Sequence, residues 1–326
     1  MRVAIDVSAL RQTRAGTARY LKGLVDELQR RGDVAVQTRS FGRGDRLSTL
    51  VRDGVWYPFL LGRQEDADVL HCPTYRGPIR SRLPLVVTVH DLAVLRHPEA
   101  FNRWTRTYSP QVVPRVLRGA ARVIAVSEFT RRELVELLAV PDDKIRVVPN
   151  AVAAEFTHEG EAEAGDYVLA VGTLEPRKNL ARLVEAVRRT NLELRVVGAR
   201  GWGGVEVAGN GVRWLGEVDD TELARLYRGA ACVAYPSLYE GFGIPVLEAM
   251  ACGAPVVTSR GTAMEEVADG AAVLVDAGDP ADIAAGIERA SAERDQLVAR
   301  GLERARAFRW AAVAEATVQV YREAVA

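Results

Sequence analysis

Two glutamates, Glu240 and Glu248, lie eight residues apart on either side of a glycine-containing turn. Gly241 and Gly243 allow a tight backbone between them, because glycine adopts positive φ angles without a steric penalty. Carboxylates accept hydrogen bonds from hydroxyl groups and stabilise a developing positive charge. The pair therefore has the residue types needed to bind a sugar.

A helix is predicted to begin directly after this turn. Pro245 suits the first helical position, and helix-compatible apolar residues follow it: Val246, Leu247, Ala249 and Met250. Free N–H groups near Gly243 and Ile244 would then form an anion site. An anion flanked by hydroxyl-binding carboxylates describes a nucleotide-sugar. The alternative is a glycine turn with a capping glutamate in an ordinary α/β protein, and the local pattern leaves both open.

Length and composition indicate a globular protein of two domains. The chain has 326 residues, of which 48% are hydrophobic and 26% charged, and it exceeds the usual size of one domain. No stretch approaches the roughly 18 apolar residues of a membrane span, and Met1–Val7 is typical of a strand rather than a signal peptide. Cys72, Cys232 and Cys252 have neither a metal-site spacing nor the even number of a disulfide framework. A reduced, cytoplasmic location is expected.

The net charge of zero conceals an asymmetry between the two halves. Residues 1–150 carry 25 Lys and Arg against 16 Asp and Glu, whereas the remainder carries 18 against 27. The basic first half predicts contact with an anionic partner. A solvated Arg-rich surface is the alternative. Because the arginines are scattered rather than grouped, nucleic acid is a poor candidate partner.

Short apolar runs alternate with helical patterns along the whole chain, which is typical of βαβ units and parallel sheets. Six strands are predicted in the first half: Val3–Val7, Val34–Thr38, Val69–His71, Leu85–His90, Arg122–Val126 and Ile145–Val148. Six more are predicted in the second half: Tyr167–Val171, Leu194–Val197, Val212–Leu215, Cys232–Tyr235, Val256–Thr258 and Ala272–Val275. The sequence predicts an α/β fold with two Rossmann-like, doubly wound parallel-sheet domains.

The remaining segments complete this prediction. A helix is predicted over Thr17–Arg30, and Ala153–Gly165, rich in Glu, Ala and Gly, is interpreted as the linker. Phe308–Ala326 has helical periodicity, which leaves open whether it completes the second domain or crosses back to the first. Ligands of open α/β sheets bind at the carboxyl ends of the strands. The active site is therefore expected in a cleft between the halves.

Several stretches, in a fixed order along the chain, resemble the landmarks of one enzyme family. They are the glycine loop Arg14–Tyr20, the first-domain stretches Val123–Thr130 and Val147–Asn150, the basic motif Gly172–Asn179, the paired glutamates of Glu240–Glu248, and the start of the closing helix at Phe308–Trp310. Together they resemble the retaining GT-B glycosyltransferases of family GT4 (group 1). Within that family they most resemble bacterial mannosyltransferases. Two departures are Thr17-Ala18, where a second glycine is common, and Ala151, which replaces a glycine.

The resemblance implies a domain organisation. Residues 1–153 would form an N-terminal acceptor-binding domain, and residues 166–307 a C-terminal domain that binds the nucleotide-sugar donor. Residues 308–326 would form a helix that crosses back to the first domain.

The resemblance also implies roles in donor binding. Arg177 and Lys178 follow a predicted strand and would stabilise the leaving diphosphate, as would the helix N-terminus at Gly243 and Ile244. Since no Asp-x-Asp pair stands at such a position, neither a metal nor another cofactor is expected. Lys178→Ala is expected to weaken donor binding and turnover severely, while changing stability by no more than about 0.5 kcal/mol, as is typical of exposed sites.

The same resemblance makes Glu248 the ribose ligand and places Glu240 at the donor sugar. His90, at the end of a predicted strand, would contact the donor sugar as a second catalytic residue, and a histidine bonded to loop backbone is the alternative. Gly16 and Thr17 precede a predicted helix, where backbone N–H groups could approach the donor phosphate.

Five further polar residues matter less for donor binding. Ser127, Asn150 and His97 are predicted on the acceptor side, although for Ser127 a helix cap is the favoured interpretation. His71, at the end of another strand, stays undecided, and His158 in the linker is interpreted as incidental.

The overall prediction is a retaining, metal-independent hexosyltransferase of polysaccharide assembly, with GDP-mannose the first donor expected. A rhamnosyl or glucosyl transferase is the nearby alternative, and a GT-B epimerase or phosphorylase and a non-catalytic nucleotide-sugar-binding module are the others. The acceptor would be a glycan, a lipid-linked sugar or a small molecule. The basic first domain suits a peripheral contact with the inner face of a membrane.

Overall fold

The computed structural model describes residues 1–11, 16–42, 45–63, 65–101, 103–201 and 211–326. These divide into two compact units. The first unit comprises Met1–Ala151 and Arg309–Ala326, and the second comprises Val152–Phe308. Each unit is built on one parallel sheet of six strands with helices packed against it. The predicted α/β fold class is confirmed.

All twelve predicted strands are present, and their ends differ from prediction by at most one residue. The strands of the first unit are β1 (Arg2–Asp6), β2 (Ala35–Arg39), β3 (Val69–Cys72), β4 (Leu85–Val89), β5 (Arg122–Ala125) and β6 (Ile145–Val147). Those of the second are β7 (Tyr167–Val171), β8 (Glu193–Val197), β9 (Val212–Gly216), β10 (Cys232–Tyr235), β11 (Val256–Ser259) and β12 (Val273–Val275). The apolar, β-branched runs of the inner strands are buried, as expected for parallel sheets covered by helices, whereas the edge strands β2 and β9 are partly exposed.

Strand order defines one switch point in each sheet. The first sheet has the order β2-β1-β3-β4-β5-β6, so the order in which strands are added reverses between β1 and β3. The second has the order β12-β11-β10-β7-β8-β9 and reverses between β7 and β10. Open α/β sheets bind ligands outside the carboxyl ends of the strands at such a point. In the second unit, a ligand is therefore expected at the loops after β7 and β10.

Twelve α-helices occur in the described residues. They are α1 (Gly16–Arg31), α2 (Arg46–Val51), α3 (Ala93–Arg96), α4 (Arg103–Gly119), α5 (Glu128–Leu138), α6 (Leu180–Val187), α7 (Asp220–Gly229), α8 (Ile244–Ala251), α9 (Ala263–Ala268), α10 (Pro280–Ala292), α11 (Arg294–Ala305) and α12 (Trp310–Val325). A π-helix, Arg52–Leu60, continues directly from α2. Short 3-10 turns fill several of the remaining connections.

The last helix, α12, belongs to the core of the first unit. Val313, Val320 and Tyr321 are buried there together with residues of α1 and of the sheet. A Cβ added to Gly23 of α1 would lie 2.3 Å from the ring of Trp310. The absence of a side chain at Gly23 is therefore what lets α1 and α12 pack so closely.

Residues 153–165, interpreted from sequence as a linker, contain neither helix nor strand, but they pack on the second unit. Arg228 of α7 donates to the carbonyls of Glu161 and Thr157, and the Phe156 ring packs edge-on against Tyr227. The segment interpreted as the linker therefore packs as part of the second unit. The overall composition of the segment gave no sign that Phe156 anchors it to the second unit.

Two further sequence expectations concern whole-chain properties. The three cysteines are buried and free, which agrees with the absence of a disulfide framework. Within the described ranges, no helix has both the length and the apolar character needed to cross a bilayer.

Candidate active site

The basic pair Arg177–Lys178 is held in a short 3-10 turn, Pro176–Lys178, in the loop that follows β7. Pro176 starts the turn with its preset φ angle, and Asn179 ends it in the left-handed region at φ 60°. The Asn179 amide donates to the carbonyls of Pro236 (3.0 Å) and Ala277 (2.6 Å). These bonds offset the cost of a left-handed, non-glycine residue. The turn is thereby fixed to the loops after β10 and β12.

Two glycines let the loops after β7 and β8 approach each other. A Cβ on Gly198 would lie 2.0 Å from the Gly172 carbonyl oxygen, and Gly198 has φ 152°. At Gly172 (φ 142°), a Cβ would lie 3.3 Å from Cε of Lys178. Both conformations favour glycine. The lysine stem therefore runs along the backbone of its own loop.

Glu240 lies in the loop between β10 and α8, as predicted, and contacts both basic residues. Lys178 Nζ donates to Glu240 Oε1 at 2.6 Å, and Arg177 Nη1 donates to Oε2 at 2.9 Å. The Tyr235 hydroxyl, at the end of β10, donates to Oε1 at 3.1 Å. Arg177 Nε also donates to Glu175 Oε2 at 2.9 Å. We refer to Glu175, Arg177, Lys178, Tyr235 and Glu240 as the charged cluster.

The charged cluster is buried and electrically balanced, with two cations and two carboxylates. The side chains of Lys178 and Glu240 are only 11% and 10% exposed. Burial by itself would raise the pKa of Glu240, but the charges and hydrogen bonds of Lys178 and Arg177 outweigh it and lower that pKa to about 2. Burial lowers the pKa of Lys178, and the Glu240 carboxylate opposes this effect. Glu240 is therefore ionised at neutral pH.

This burial corrects the expectation for Lys178→Ala. The sequence argument treated Lys178 as an exposed residue whose loss would cost little. The structure instead gives it two partners, Glu240 and the Tyr235 hydroxyl, and places its ammonium 4.8 Å from the Tyr235 ring centroid. Removing one member of a buried pair leaves the other charge uncompensated. The substitution should therefore destabilise the unit measurably.

The glycine turn leads into α8 as the sequence predicts. Gly243 precedes the helix at φ 100°, where a Cβ would also lie 2.7 Å from Met264 Cγ. Helix α8 begins at Ile244 and has Pro245 in its first turn, and within the described residues Gly243 leaves its N-terminus without a side-chain cap. The first turn carries no acidic residue either. The partial positive charge of this N-terminus is thus available to an anion.

Glu248 lies on α8 and is almost fully buried, with 1% of its surface exposed. Its Oε2 accepts a hydrogen bond of 3.1 Å from the hydroxyl of Tyr227, a residue of α7 that is itself fully buried. The two paired glutamates therefore have different surroundings. Glu240 contacts cations, whereas Glu248 contacts a neutral phenol.

His90 of the first unit directly follows β4. Its Nε2 lies 3.0 Å from the Pro73 carbonyl oxygen, which is the backbone bond of the alternative interpretation. Its ring also packs edge-on against Tyr20, with the centroids 4.8 Å apart. Burial lowers the pKa of His90, against the opposing effects of the Pro73 carbonyl and Asp91. The imidazole is therefore fixed in orientation and neutral at pH 7, with Nε2 as donor to the carbonyl.

His71, left undecided by the sequence, is a core residue. Its Nδ1 lies 2.7 Å from the Tyr321 hydroxyl and its Nε2 lies 2.8 Å from Thr88 Oγ1. Burial lowers its pKa to about 3, with a smaller contribution from His90. Both ring nitrogens thus join α12 to strands β3 and β4. These contacts are structural.

The other predicted site residues of the first unit occupy separate positions. Gly16 and Thr17 are the first residues of α1, while Arg14 and Ala15 of the same predicted loop lie outside the described residues. Ser127 is the cap of α5, since its Oγ accepts from the Thr130 N–H at 3.0 Å, which confirms the favoured interpretation. His97 lies 3.4 Å from a Glu99 carboxylate oxygen.

Asn150 follows β6 and is 2% exposed. Within the described part of the chain, its Oδ1 has no hydrogen-bond partner. A buried acceptor without a partner is uncommon and costs stability.

Three members of the site were not predicted. Tyr235 is the last residue of β10, so the carboxyl-end argument applied to Arg177 and Lys178 could have identified it. Glu175 and Asn179 lie inside the quoted basic motif. Glu175 pairs with Arg177, two residues along the chain, whereas the partners of Asn179 are distant in sequence. Among the described residues, no group of three or more His, Cys, Asp or Glu side chains is arranged to hold a metal ion.

Comparison with known proteins gives the class of this two-sheet α/β protein, which is a glycosyltransferase of GT-B architecture. Residues 153–308 match the family model for glycosyl transferases group 1, and residues 14–156 match that for glycosyltransferase family 4. The chain therefore belongs to glycosyltransferase family 4.

Curated relatives agree with this assignment. O-antigen chain mannosyltransferase B of Escherichia coli is 32% identical over 78% of this chain and 74% of its own. MMP alpha-(1->4)-mannosyltransferase of Mycolicibacterium hassiacum is 32% identical over 82% of this chain and 73% of its own. D-inositol 3-phosphate glycosyltransferase of Frankia alni is 32% identical over 74% and 69%.

Solved structures share the fold. Sucrose-phosphate synthase from Thermosynechococcus elongatus is similar at a TM-score of 0.75 and 18% identity, covering 99% of this chain and 98% of its own. Anabaena HepE in complex with UDP and glucose is similar at a TM-score of 0.74 and 18% identity, covering 98% of each chain.

Proposed function

We propose that this glycosyltransferase binds the diphosphate of a nucleotide-sugar donor between the charged cluster and the N-terminus of α8. The observation that carries the proposal is the contact of Glu240 with both Lys178 and Arg177, beside the uncapped helix that starts at Ile244. These groups lie in the loops after β7 and β10, at the switch point where such sheets bind ligands. HepE, a protein of the same fold, binds UDP.

The charge balance of the cluster suggests how a donor would engage it. An incoming diphosphate competes with Glu240 for Lys178 and Arg177, because the diphosphate and the carboxylate both accept hydrogen bonds from the same N–H donors. Glu240 is then released toward the donor sugar, where it binds a hydroxyl or stabilises oxocarbenium character. The two cations stabilise the negative charge that grows on the leaving diphosphate. Such a site needs no metal ion, and we propose that transfer is metal-independent.

Glu248 is the proposed ligand of the nucleotide ribose. A ribose diol donates two hydrogen bonds that a carboxylate accepts, and the Tyr227 hydroxyl fixes one carboxylate oxygen in place. Gly243 and Ile244 contribute backbone N–H groups to the diphosphate. In the first unit, Gly16 and Thr17 are proposed to approach the donor phosphate, and His90 to contact the donor sugar as a neutral, oriented imidazole.

Mannose from GDP-mannose is the donor we propose first, with retention of the anomeric configuration. Two of the relatives above are mannosyltransferases by name, whereas a third acts on D-inositol 3-phosphate. A rhamnosyl or glucosyl transferase is the alternative. The acceptor, on the side of Ser127, Asn150 and His97, is a glycan, a lipid-linked sugar or a small molecule. We propose a cytoplasmic enzyme in peripheral contact with a membrane, in keeping with the basic first half.

The proposal is tested by incubating the purified chain with GDP-mannose, UDP-glucose and dTDP-rhamnose, with glycan, lipid-linked and inositol phosphate acceptors. Release of nucleoside diphosphate with transfer of the sugar, unchanged by EDTA, is the expected result. The anomeric configuration of the product is read by NMR. Nucleotide binding without transfer from any donor would favour a non-catalytic binding module, and loss of transfer in EDTA would contradict metal independence.

A further inference from the structure

Six large apolar side chains are exposed within one short segment of the first unit. Leu47 is 72% exposed and Phe59 58%. We call the six residues the apolar strip: Leu47, Leu50, Val51, Val55, Phe59 and Leu60. They are half of the twelve large apolar residues exposed in the described chain, although the segment spans only fourteen positions. Single exposed apolar residues are ordinary, but a cluster of this kind marks a surface that another phase or molecule covers.

The change from α- to π-helix keeps the apolar strip on one face. In α2, with 3.6 residues per turn, Leu47 lies above Leu50 and Val51. From Arg52 onward the i→i+5 helix has roughly 4.4 residues per turn, so Val55 and Phe59 recur at the wider spacing. Continued as an α-helix, the segment would turn Leu60 to the opposite side. The π-helix, a rare element, thus aligns these six side chains.

The charged residues of the same segment point inward. Asp53 is fully buried and Arg52 is 2% exposed, and they form an ion pair at 3.0 Å. Asp53 also accepts from Arg76 at 3.4 Å and from Trp104 Nε1 at 3.1 Å. Water would favour the reverse arrangement, with charges outside and Leu and Phe inside. The segment therefore buries its charges and exposes its apolar side chains, the opposite of the arrangement that water favours.

The buried charges also fix the orientation of the segment. The Tyr108 hydroxyl of α4 donates to the Asp53 carbonyl at 3.0 Å, and the Trp104 ring of the same helix stacks on Tyr108. Rotation of the segment to bury the apolar strip would break the bonds of Asp53 to Arg76 and Trp104, which lie outside the segment. The apolar face is thus held outward by specific bonds rather than by chance packing.

The charge next to the apolar strip indicates what covers it. Trp104, 41% exposed, lies beside the segment, and its helix α4 carries four arginines and no acidic residue: Arg103, Arg106, Arg115 and Arg118. All four are exposed, and within the described residues none has an acidic partner within ion-pair distance. The exposed acidic residues that follow the segment are paired instead, Glu65 with Arg82 and Asp66 with Arg39.

We propose that the apolar strip inserts into the headgroup region of an anionic lipid membrane while the arginines of α4 bind the lipid phosphates. A helical face of Leu and Phe, flanked by Trp and Arg, is the composition that lies in such an interface. Anionic lipids attract the arginines, and apolar burial removes the exposed strip from water. The proposal rests on the proposed function in one respect: the membrane supplies a lipid-linked acceptor.

The test is cosedimentation of the full chain with vesicles of phosphatidylcholine alone and of phosphatidylcholine with phosphatidylglycerol. The wild-type chain should bind the anionic vesicles, and L47S/F59S should lower the partition coefficient at least about tenfold. R103Q/R106Q should remove most of the dependence on anionic lipid. V135S/L137S is the matched control, because it removes two exposed apolar residues of α5 in the same unit and should bind as the wild type does.

Two results would overturn the proposal. One is failure of the wild-type chain to bind either vesicle, and the other is equal binding by L47S/F59S and the wild type. A dimer of the wild-type chain that L47S/F59S converts to monomer, without vesicle binding, would assign the strip to a second copy instead. Donor hydrolysis in vesicle-free buffer is measured in parallel. It should be unchanged in L47S/F59S, so loss of vesicle binding and failure of the donor site are distinguishable.

Discussion

Glu240→Gln separates the contact of Glu240 with two cations from its proposed role at the donor sugar. The substitution keeps the shape of the side chain and removes its charge. In the wild type, Lys178 and Arg177 both donate to this carboxylate, and the charged cluster is neutral. In the variant, Glu175 is the only carboxylate left among the cluster's members. The cluster then carries a net positive charge that a diphosphate can neutralise.

The magnitude follows from the bonds exchanged. A hydrogen bond to a charged group is worth about 1.5–3 kcal/mol, and loss of the charge leaves the buried Lys178 beside Arg177, with Glu175 as the one carboxylate of the cluster. We therefore expect the unfolding free energy to fall by about 2 kcal/mol. The same carboxylate no longer competes with a diphosphate, so nucleoside diphosphate binding should tighten by at least about tenfold, which corresponds to about 1.4 kcal/mol.

The assay is isothermal titration of GDP and UDP into the wild type and the variant, with sugar transfer measured alongside. Tighter diphosphate binding together with a large loss of kcat is the expected pair of results, since Glu240 is proposed to act on the donor sugar once released. Glu240→Asp, which keeps the charge, is the control and should bind diphosphate no more tightly than the wild type. Weaker diphosphate binding by Glu240→Gln would refute the competition argument.

Three further predictions test other parts of the site. Tyr227→Phe removes the hydrogen bond that fixes Glu248 and should raise the donor KM several-fold with little change in kcat. Glu248→Ala should raise the donor KM further. A change confined to the acceptor KM would contradict the ribose assignment. Gly198→Ala should destabilise the second unit by at least about 3 kcal/mol, since its Cβ would clash with the Gly172 carbonyl. Gly211→Ala, at φ 79° with no described atom within 4 Å of the added Cβ, should cost about 1–2 kcal/mol; equal unfolding free energies would remove the steric argument. The pKa of Glu240 is lowered from 4.5 to about 2, so the stability difference between wild type and Glu240→Gln should be complete above pH 4.5 and should disappear as the pH falls toward 2; a difference that persists unchanged at pH 2 in chemical denaturation would contradict this sign.

Most of the fold follows from the sequence, because parallel strands buried on both faces leave a clear apolar signal. Every strand was predicted to within a residue at its ends, and the carboxyl-end rule identified Arg177 and Lys178 as neighbours of the loop that carries Glu240. Sequence could not show that Glu240 binds both cations, since that depends on the turn fixed by Asn179. Lys178 was mistaken for an exposed residue for the same reason.

The segment 45–63 shows a second limit of sequence patterns. Its apolar residues fit neither period 2 nor period 3.6 over their full length, because the chain changes from an α- to a π-helix at Arg52. A sequence pattern that assumes one helical period cannot detect a helix face whose residues follow two successive periods. The burial of Asp53 also depends on Arg76 and Trp104, residues that lie 23 and 51 positions away.

The most direct test of the central claim compares the binding of a nucleoside diphosphate and of the corresponding monophosphate to the wild type and to Lys178→Met, with folding of the variant checked by circular dichroism. If the charged cluster binds the donor diphosphate, the variant should lose at least about tenfold in affinity for the diphosphate and much less for the monophosphate. Equal losses for the two ligands, or no loss for the diphosphate in a folded variant, would contradict the assignment of this cluster to the donor.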